Sequence, residues 1–491
     1  MNMRVVSLLG ILSILICASI QAEERPIVVI IPSYNNQKWC DKNVRSALNQ
    51  KYSNFRIIYI DDCSTDNTAN MVRMLKRKLD SNNRLVLLCN EKRCGALANI
   101  YKAVHDYCAP GEIVCTLDGD DWCKDDQVLA TVNEAYANPN VWMTYGQFEG
   151  FPGKINGFCR EFPSFIVEHN AFRDFDWVSS HLRTFYAGLF QKIRLQDLVD
   201  KGEFFDVTWD LGFMYPMLEM ARERHKLIPR VLYVYNVDNP QSDFRIKLLR
   251  QWRVERLIRS FERYERIDSY FPTSTTQATD LIVVSDDNPE RLQLVLQSVR
   301  SLCNDVHKMH ALYCASTDAL SSAYDKVRAL FPDVSFTVCT NQAQVQPSLV
   351  EVLNHVTTPY VACLHDGLTI HGTISFGACV AELEKTRAHG FYLSLGADVQ
   401  TKRGLKRVQK VPPLVLLTDT VRAWHLKDGE HDWRNPLSCS CAVYRTPMLK
   451  DHVAACVCDD FDTLQTMLAT EVFVDARAMG LCYVHAPVAV G

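Results

Sequence analysis

Four short apolar runs in the first quarter of the chain each end abruptly in a polar loop. Runs of strand length bounded by Pro, Ser, Asn, Asp and Gly are typical of buried β-strands. Residues with helical spacing lie between them, as around Val44 and Leu48. Such alternation predicts a mostly parallel sheet covered by helices on both faces, with the polar loops gathered at one edge. The four runs are 27–31, 55–60, 85–89 and 113–117.

The loop after the fourth run carries three carboxylates, Asp118, Asp120 and Asp121, in the sequence LDGDDW. Acidic groups so close in sequence repel one another, and a divalent cation among them lowers the cost of their charge. Hard Mg²⁺ or Mn²⁺, bound by one or two carboxylates and by substrate phosphates, fits oxygen ligands of this kind. The alternative is a polar turn after a strand, because Asp and Gly favour turns.

Four motifs, in this order, resemble those of the family-2 glycosyltransferases, which have the nucleotide-sugar-binding GT-A fold. The motifs are IPSYN at 31–35, IDDCSTDNT at 60–68, Asn90-x4-Gly95-x3-Asn99 and LDGDDW at 117–122. The resemblance covers roughly residues 26–240. It implies a divalent cation, Mn or Mg, at Asp118 and Asp120. It also implies a donor site made by Tyr34, Asn35, Asp62, Arg93, Gly95, Asp118 and Gly119.

Two later segments, HLRTF at 181–185 and TWDL at 208–211, are similar to the acceptor side of that family. The resemblance places Asp210 at the catalytic base, although this chain has Trp209-Asp210 where the family often has Glu-Asp. His181 and Trp209 are candidate acceptor contacts, and for each a role in the core is the alternative. Three residues after this segment either meet the diphosphate or form a solvated helix end: Arg222, Arg224 and His225.

The second half of the chain repeats the first from about residue 280. Segment 280–288 parallels 26–35, and 360–367 parallels 113–120. Further parallel pairs are 312–318 with 59–66, 391–396 with 141–146, and 481–484 with 231–234. The expected fold class is therefore α/β, with two tandem GT-A-like (nucleotide-diphospho-sugar transferase, Rossmann-like) domains and mostly parallel sheets.

The second copy lacks the acids of the first. It has Tyr313-Cys314 in place of Asp61-Asp62, and His365-Asp366-Gly367 in place of Asp118-Gly119-Asp120. We therefore expect it to be non-catalytic, with a role in acceptor binding, stabilisation of the first domain or assembly.

Residues 245–267, between the copies, have apolar side chains on one helical face and arginines elsewhere. Contact with a membrane surface or a polyprenyl phosphate is one interpretation. A solvated bridging helix packed on both domains is the other. The expected domains are 1–22, a signal peptide or an anchor; 23–244, catalytic; 245–279, helix and linker; and 280–491, degenerate.

The amino terminus has the order of a secretory signal: Arg4, an apolar run at 5–16, and small residues at Ala18, Ser19 and Ala22. The run is short for a bilayer span, which needs about 20 apolar residues. We expect a secretory or membrane-associated location, with a cytoplasmic one as the alternative, since nucleotide sugars are made in the cytosol. The net charge of -4 favours no nucleic-acid partner.

Together with these patterns, the resemblance implies an inverting, metal-dependent glycosyltransferase in which Asp210 is the general base. The expected donor is a nucleoside-diphosphate sugar, with UDP-sugars preferred, and the acceptor is a glycan, a lipid or a protein. The alternative is an inactive nucleotide-binding, sugar-binding or assembly protein built from a duplicated unit. The oligomeric state and membrane association are left open.

Overall fold

The computed structural model describes residues 23–153, 155–240, 247–271, 278–399, 408–470, 475 and 477–490. The expected signal at 1–22 lies outside the described residues. The chain divides into two compact units. The first comprises Met1–Leu189, Met217–Ile246 and Tyr264–Ile267, and the second comprises Phe190–Pro216, Lys247–Arg263 and Asp268–Gly491. The segment with Asp210 thus groups with the second unit, whereas the sequence-based division placed it with residues 23–244.

An eight-stranded sheet forms the centre of the first unit. In spatial order its strands are Leu85–Cys89, Phe55–Asp61, Ile27–Ser33, Ile113–Thr116, Arg183–Tyr186, Met143–Phe151, His225–Asn236 and Trp122–Cys123. The strands Arg183–Tyr186 and Trp122–Cys123 are antiparallel to their neighbours, and the other six strands share one direction. The expected mostly parallel α/β sheet is confirmed.

Amphipathic helices cover this sheet. In Cys40–Leu48 the buried residues are Cys40, Asn43, Val44 and Ala47, which recur at helical spacing. The helices of the first unit are Cys40–Leu48, Thr68–Leu79, Ala96–Tyr107, Val128–Ala135 and Ser164–Glu168. Two further helices, Ala187–Phe190 and Trp209–Ala221, contain residues of both units.

The four expected strands of the first quarter are adjacent and parallel in this sheet. Their register aligns Ser33 with Asp61, and Asp61 with Cys89, at the carboxyl ends. Open α/β sheets bind ligands at this end of their strands. The loops at 34–36, 62–66, 90–95 and 117–121 therefore share one edge, as the alternation predicted.

The sheet of the second unit has nine strands. In spatial order they are Ser335–Cys339, Val306–Cys314, Thr279–Asp286, Tyr360–His365, Cys441–Arg445, Gly390–Tyr392, Met479–Tyr483, Val421–His425 and Val415–Leu416. Its first seven positions repeat the strand order and directions of the first sheet, including one antiparallel strand at the fifth position. The repeated strands include 390–392 and 479–483, which the sequence repeat had paired with 141–146 and 231–234.

Six longer helices accompany the second sheet: Pro289–Leu302, Asp318–Leu330, Val345–His355, Phe376–Thr386, Thr446–Ala455 and Phe461–Thr470. Three small two-stranded pairings complete this unit. They join Cys303–Asn304 to Ile374–Ser375, Leu368–Ile370 to Val488–Val490, and Val199–Asp200 to Glu203–Phe204.

The helix between the copies is shorter than expected. It runs over Leu248–Arg259, with Val254 and Ile258 buried, instead of extending to residue 267. The Ser260 hydroxyl donates to the Leu257 carbonyl (2.7 Å), and such side-chain bonds compete with helix continuation. Residues 272–277 of the helix and linker expected at 245–279 lie outside the described residues. Among the described helices none is both long and apolar enough to cross a membrane.

The 18 cysteines of the described ranges are all free thiols, and most of them are buried. Cys115 and Cys363 lie inside strands of the two sheets and are 0% and 1% exposed. They act as small core hydrophobes.

Candidate active site

A tight turn follows the strand Ile113–Thr116 and holds two acidic side chains apart. The Gly119 amide donates to the Pro32 carbonyl (3.1 Å), which keeps the turn against the neighbouring strand. A Cβ at position 119 would lie 2.6 Å from Ser33 Oγ and 2.7 Å from Asn36 Nδ2, so only glycine fits there. The half-buried residues Asp118 and Asp120 therefore stand on either side of a backbone that has no freedom to shift.

The end of strand His225–Asn236 and the residues just after it contact Asp120. Asn239 Nδ2 donates to Asp120 Oδ2 (2.7 Å), and Asn236 Nδ2 donates to the Asp120 carbonyl (3.1 Å). Asp238, which precedes Asn239, forms a salt bridge with Lys38 (3.3 Å). One carboxylate oxygen of Asp120 is thus oriented by an amide, as expected of a side chain that must present its other oxygen in a defined direction.

Asp121 is buried beneath the turn and is held by two donors. Tyr233 OH donates to Asp121 Oδ2 (2.5 Å), and the Asn236 amide donates to Oδ1 (2.7 Å). Burial, and then the charges of Asp120 and Asp118, raise the pKa of Asp121 well above its ordinary value. The third acid therefore anchors the turn from below, whereas its two neighbours line the edge of the sheet.

A buried amide on the first helix supports the same turn. Asn43 is fully buried, and its Nδ2 donates to the carbonyls of Asp118 (2.9 Å) and Asp121 (2.8 Å). A single side chain thereby contacts both ends of the acidic turn, and it supplements the Asp121 amide, which also donates to the Asp118 carbonyl (3.0 Å).

His181 lies in an aromatic stack next to this anchor. Its ring is 4.3 Å from that of Tyr233 with an interplanar angle of 18°, and it is 8% exposed. Burial, followed by the charge of Arg183, lowers the pKa of His181 well below its ordinary value. This packing favours the core role that the sequence left open as the alternative to an acceptor contact.

The Gly95 loop is organised by Asp62. Its Oδ1 accepts from Asn90 Nδ2 (2.7 Å) and the Cys94 amide (2.9 Å), and its Oδ2 accepts from the Gly95 amide (2.8 Å). Gly95 has a φ of 90° and directly precedes the helix Ala96–Tyr107. Asp62, expected to contact a nucleotide base, thus also shapes the adjacent loop.

The first two polar loops are linked to each other. The Asn35 amide donates to Ser64 Oγ (2.9 Å), and Asn35 Oδ1 accepts from the Thr65 amide (2.8 Å). The exposed Arg93 guanidinium lies 3.9 Å from the centre of the Tyr34 ring. A planar cation beside an aromatic ring at this edge suits a base and its phosphates.

The acidic turn could bind a divalent cation only if a bound ligand supplied further oxygen atoms to the coordination shell. Within the described ranges, no three His, Cys, Asp or Glu side chains are grouped to hold a metal by themselves. Asp118 and Asp120 supply two carboxylates, and diphosphate oxygens would complete the shell. Mg²⁺ is commonly bound in this way, by one or two carboxylates together with substrate phosphates.

Asp210 lies in the first turn of the helix Trp209–Ala221. Thr208, with a φ of 53°, directly precedes this helix. The Trp209 ring packs against Phe213 at 5.9 Å, and both Trp209 and Asp210 are half-buried. The two side chains thus sit at a helix start within the second unit.

Of the two alternatives left open for Arg222, Arg224 and His225, their positions favour a helix end over contact with the diphosphate. His225 begins a strand that is parallel to Ile113–Thr116 through its neighbours, so it lies at the opposite edge of the sheet from the acidic turn. The side chains of Arg222 and Arg224 donate instead to the carbonyls of Val167 and Ile267.

Sequence reasoning missed four supporting residues, Asn43, Tyr233, Asn236 and Asn239. Asn43 carried a signal, because a polar residue on the apolar face of a predicted helix needs a buried partner. The other three were not detectable, since their contacts with the turn span more than a hundred residues of sequence.

Comparison with known proteins agrees with this geometry. Residues 28–192 match the model of the family described as glycosyl transferase family 2. A putative teichuronic acid biosynthesis glycosyltransferase of Bacillus subtilis, TuaG, is 38% identical over 103 residues, covering 21% of this chain and 39% of the relative. The Escherichia coli UDP-Glc:alpha-D-GlcNAc-diphosphoundecaprenol beta-1,3-glucosyltransferase WfgD is 31% identical over 123 residues, covering 25% and 46%. The chain thus spans less than half the length of these curated relatives.

Among solved structures, Staphylococcus aureus TarS 1-349 with UDP-GlcNAc is similar at a TM-score of 0.37 and 19% identity, covering 48% of this chain and 65% of that one. The mannosyltransferase PcManGT of Pyrobaculum calidifontis, with GDP-Man and Mn2+, has a TM-score of 0.33 and 21% identity, covering 49% and 66%. On the family match, residues 28–192 are similar to glycosyl transferase family 2.

Proposed function

We propose that this protein is an inverting glycosyltransferase that moves a sugar from a nucleoside diphosphate to an acceptor hydroxyl. The observation that carries the proposal is the turn Asp118–Gly119–Asp120. It is pinned where no Cβ can fit, and it shares an edge with the loops of Tyr34 and Asp62. A mere polar turn would not need a buried carboxylate, a buried amide and a buried phenol beneath it.

The expected donor is a UDP-sugar. Tyr34 and Arg93 offer a flat, cationic surface, and Asp62 holds the Gly95 loop beside it. The Escherichia coli relative is named for glucose transfer from UDP-Glc to alpha-D-GlcNAc-diphosphoundecaprenol, which supports this preference. The acceptor of the present chain, whether glycan, lipid or protein, is left open.

Transfer requires that negative charge on the departing diphosphate be stabilised. A divalent cation, Mn or Mg, would be held by Asp118 and Asp120 and would supply that stabilisation as a Lewis acid. The contact from Asn239 would keep the Asp120 carboxylate oriented, and Arg93 would add a fixed positive charge at the edge.

Asp210 is proposed as the general base that takes the acceptor hydroxyl proton. The deprotonated oxygen then attacks the anomeric carbon from the face opposite the diphosphate, so an α-linked donor gives a β-linked product. Trp209 offers an aromatic face next to this carboxylate for the acceptor. We do not assign His181 to acceptor binding, because its ring is buried against Tyr233.

The second copy is proposed to be non-catalytic. Asp366, which follows the strand Tyr360–His365, accepts bonds from Ser285 Oγ (2.8 Å) and the Asp286 amide (3.2 Å) at one oxygen. Burial is the first cause that raises the pKa of Asp366. Its carboxylate is turned toward its own sheet, and no second acid follows it after one intervening residue.

Release of UDP from UDP-sugars by the purified protein, in the presence of Mn²⁺, tests the activity. We expect wild-type turnover of at least one donor, a loss of at least 100-fold in Asp120→Asn and in Asp210→Asn, and unchanged turnover in the matched control Asp366→Asn. Unchanged turnover in both of the first two variants would contradict the assignment. No turnover of any donor, with nucleotide still bound, would favour the alternative of an inactive binding protein.

Location and membrane contact stay predictions. The secretory or membrane-associated assignment depends on residues 1–22, which are outside the described ranges. The helix Leu248–Arg259 supports contact with a membrane surface, because Leu249 is 79% and Trp252 58% exposed beside the exposed Arg253 and Arg256. Its opposite face is buried, as a packed bridging helix also requires.

A further inference from the structure

The segment that leads to Asp210 is fastened near its start by Arg477. Arg477 Nη1 donates to Asp197 Oδ1 (2.5 Å), and its Nη2 donates to the Gln196 carbonyl. The same guanidinium lies 3.2 Å from the centre of the Phe261 ring. All of these residues belong to the second unit. Arg477 thus ties the segment to the carboxy-terminal copy by a forked contact, the geometry for which arginine is suited.

The acceptor in this contact is a buried charge. Asp197 is 1% exposed, and Arg194 Nε also donates to it, at Oδ2 (2.9 Å). Gln196 adds a second tie, since its Nε2 donates to Asp475 Oδ2 (2.6 Å). A buried carboxylate that loses one of its charged partners is costly, so the contact holds its geometry firmly.

A second fastening lies just before Asp210. Asp206 pairs with Arg250 (2.7 Å) and with Lys247 (3.3 Å) at the start of the helix Leu248–Arg259. Thr208 Oγ1 donates to the Gln251 carbonyl of the same helix (3.4 Å). These contacts also lie inside the second unit.

Between the two fastenings the chain forms a tight hairpin. The strands Val199–Asp200 and Glu203–Phe204 pair, and the Phe205 amide donates back to the Leu198 carbonyl (3.1 Å). At the tip, Gly202 has a φ of 80°, and a Cβ there would lie 2.6 Å from the Pro413 Cβ of the carboxy-terminal copy. The path from Asp197 to Asp210 therefore has little slack.

We infer that the carboxy-terminal copy serves as a positioning unit for the catalytic base, with Arg477 as the key positioning residue. Arg477 does not meet the reactants. It fixes the start of the hairpin whose end sets the first turn of the helix that bears Asp210. This inference rests on the proposed role of Asp210, and it gives the copy a function although its own acids are missing. Misplacement of a catalytic group by about 1 Å costs roughly 100-fold in rate.

The test compares Arg477→Met and Arg477→Lys with a matched control, Arg300→Met. Arg300 is exposed and pairs with Asp333 from the helix Pro289–Leu302 of the same unit. We expect kcat for UDP-sugar turnover to fall about 10- to 100-fold in Arg477→Met. The donor KM should stay unchanged, because the donor loops belong to the first unit. Arg477→Lys should recover part of kcat, and Arg300→Met should match the wild type.

Amide hydrogen exchange provides a readout that does not depend on activity. Exchange in residues 198–211 should rise in Arg477→Met and not in Arg300→Met. If Arg477→Met folds poorly, Gln196→Met, which removes only the contact with Asp475, is measured in the same way. Unchanged kcat and unchanged exchange at 198–211 in the tested variant would overturn the inference. A wild type that turns over no donor would contradict the proposed function, whereas raised exchange at 198–211 in Arg477→Met would still support the fastening by Arg477.

Discussion

Tyr233 and Asp121 meet directly beneath the acidic turn, where the phenol donates to the carboxylate at 2.5 Å. The same phenol oxygen accepts from the Asp118 amide at 3.3 Å. Tyr233 is fully buried, and its residue number differs by more than a hundred from both partners. One hydroxyl thus connects the seventh strand of the sheet to both ends of the turn that we assign to the diphosphate.

Tyr233→Phe should loosen this turn. It removes the hydroxyl and leaves the buried Asp121 carboxyl short of one donor, which costs about 1–3 kcal/mol in the free energy of unfolding. We also expect weaker binding of UDP with Mn²⁺, measured by titration calorimetry. Tyr145→Phe is the matched control, because that buried phenol donates to the Arg160 carbonyl (3.0 Å) and touches none of the acids. Equal loss of UDP affinity in the two variants would contradict a specific role for Tyr233.

Asp62→Asn should disorder the Gly95 loop. The change weakens the acceptor for the Cys94 and Gly95 amides and should cost about 1–2 kcal/mol of stability. Affinity for UDP should fall with it. Asp80→Asn is the control, since Asp80 also accepts two backbone amides, those of Arg84 (2.7 Å) and Leu85 (2.8 Å), at the other end of a strand. UDP affinity that is unaltered in Asp62→Asn would show that this loop takes no part in donor binding.

The exposed face of the helix Leu248–Arg259 tests the membrane expectation. Wild-type protein should sediment with vesicles that contain anionic phosphatidylglycerol, and less so at high salt. The double variant Leu249→Asp with Trp252→Asp should stay in the supernatant. The matched control changes two apolar side chains exposed on other helices, Leu294 and Leu330, to Asp. If the wild-type protein does not sediment with these vesicles, the membrane interpretation is contradicted and the bridging-helix interpretation is favoured.

His389 should make the second unit less stable in mild acid. Burial is the main cause that lowers the pKa of His389 from 6.5 to about 4, with His452 and Arg445 adding to it. His389 therefore becomes protonated at a lower pH in the folded state than in the unfolded state. Stability is complete above about pH 6.5 and is lost as the pH falls toward 4, at up to about 1.4 kcal/mol per pH unit.

Urea unfolding at pH 7 and at pH 5 measures this effect. We expect a smaller loss of stability on acidification in His389→Gln than in the wild type. His355→Gln is the control, because His355 is exposed and its Nδ1 contacts only the Glu351 carbonyl in the same helix. Identical losses in His389→Gln and the wild type would rule out His389 as the responsible group.

Local sequence patterns were sufficient for much of the fold. Each buried strand of the first quarter is continuous in sequence, and its end is marked by Pro, Asn, Asp or Gly, so the alternation and its polar edge could be predicted. The repeat was visible for the same reason, because residues 280–288 and 360–367 keep the strand pattern of their counterparts after losing the acids. The same local signals misplaced the end of the central helix, since Arg259 and Ser260 do not differ in periodicity from the residues before them.

Motif order and spacing along the chain predicted the similarity to glycosyl transferase family 2 and the acids of the turn, because each motif lies within a few residues. Tertiary packing decided which of these residues are buried beneath the acidic turn and which line the edge of the sheet. Asp121 and His181 pack against Tyr233, and Arg222, Arg224 and His225 fall at the far edge because they precede or begin a strand that runs in the same direction as Ile113–Thr116. The grouping of Asp210 with the carboxy-terminal copy is also a tertiary property, and the salt bridge between Asp197 and Arg477 within that unit joins residues 280 positions apart. Contacts between groups so distant in sequence leave no periodicity or motif, and only the folded chain brings them together.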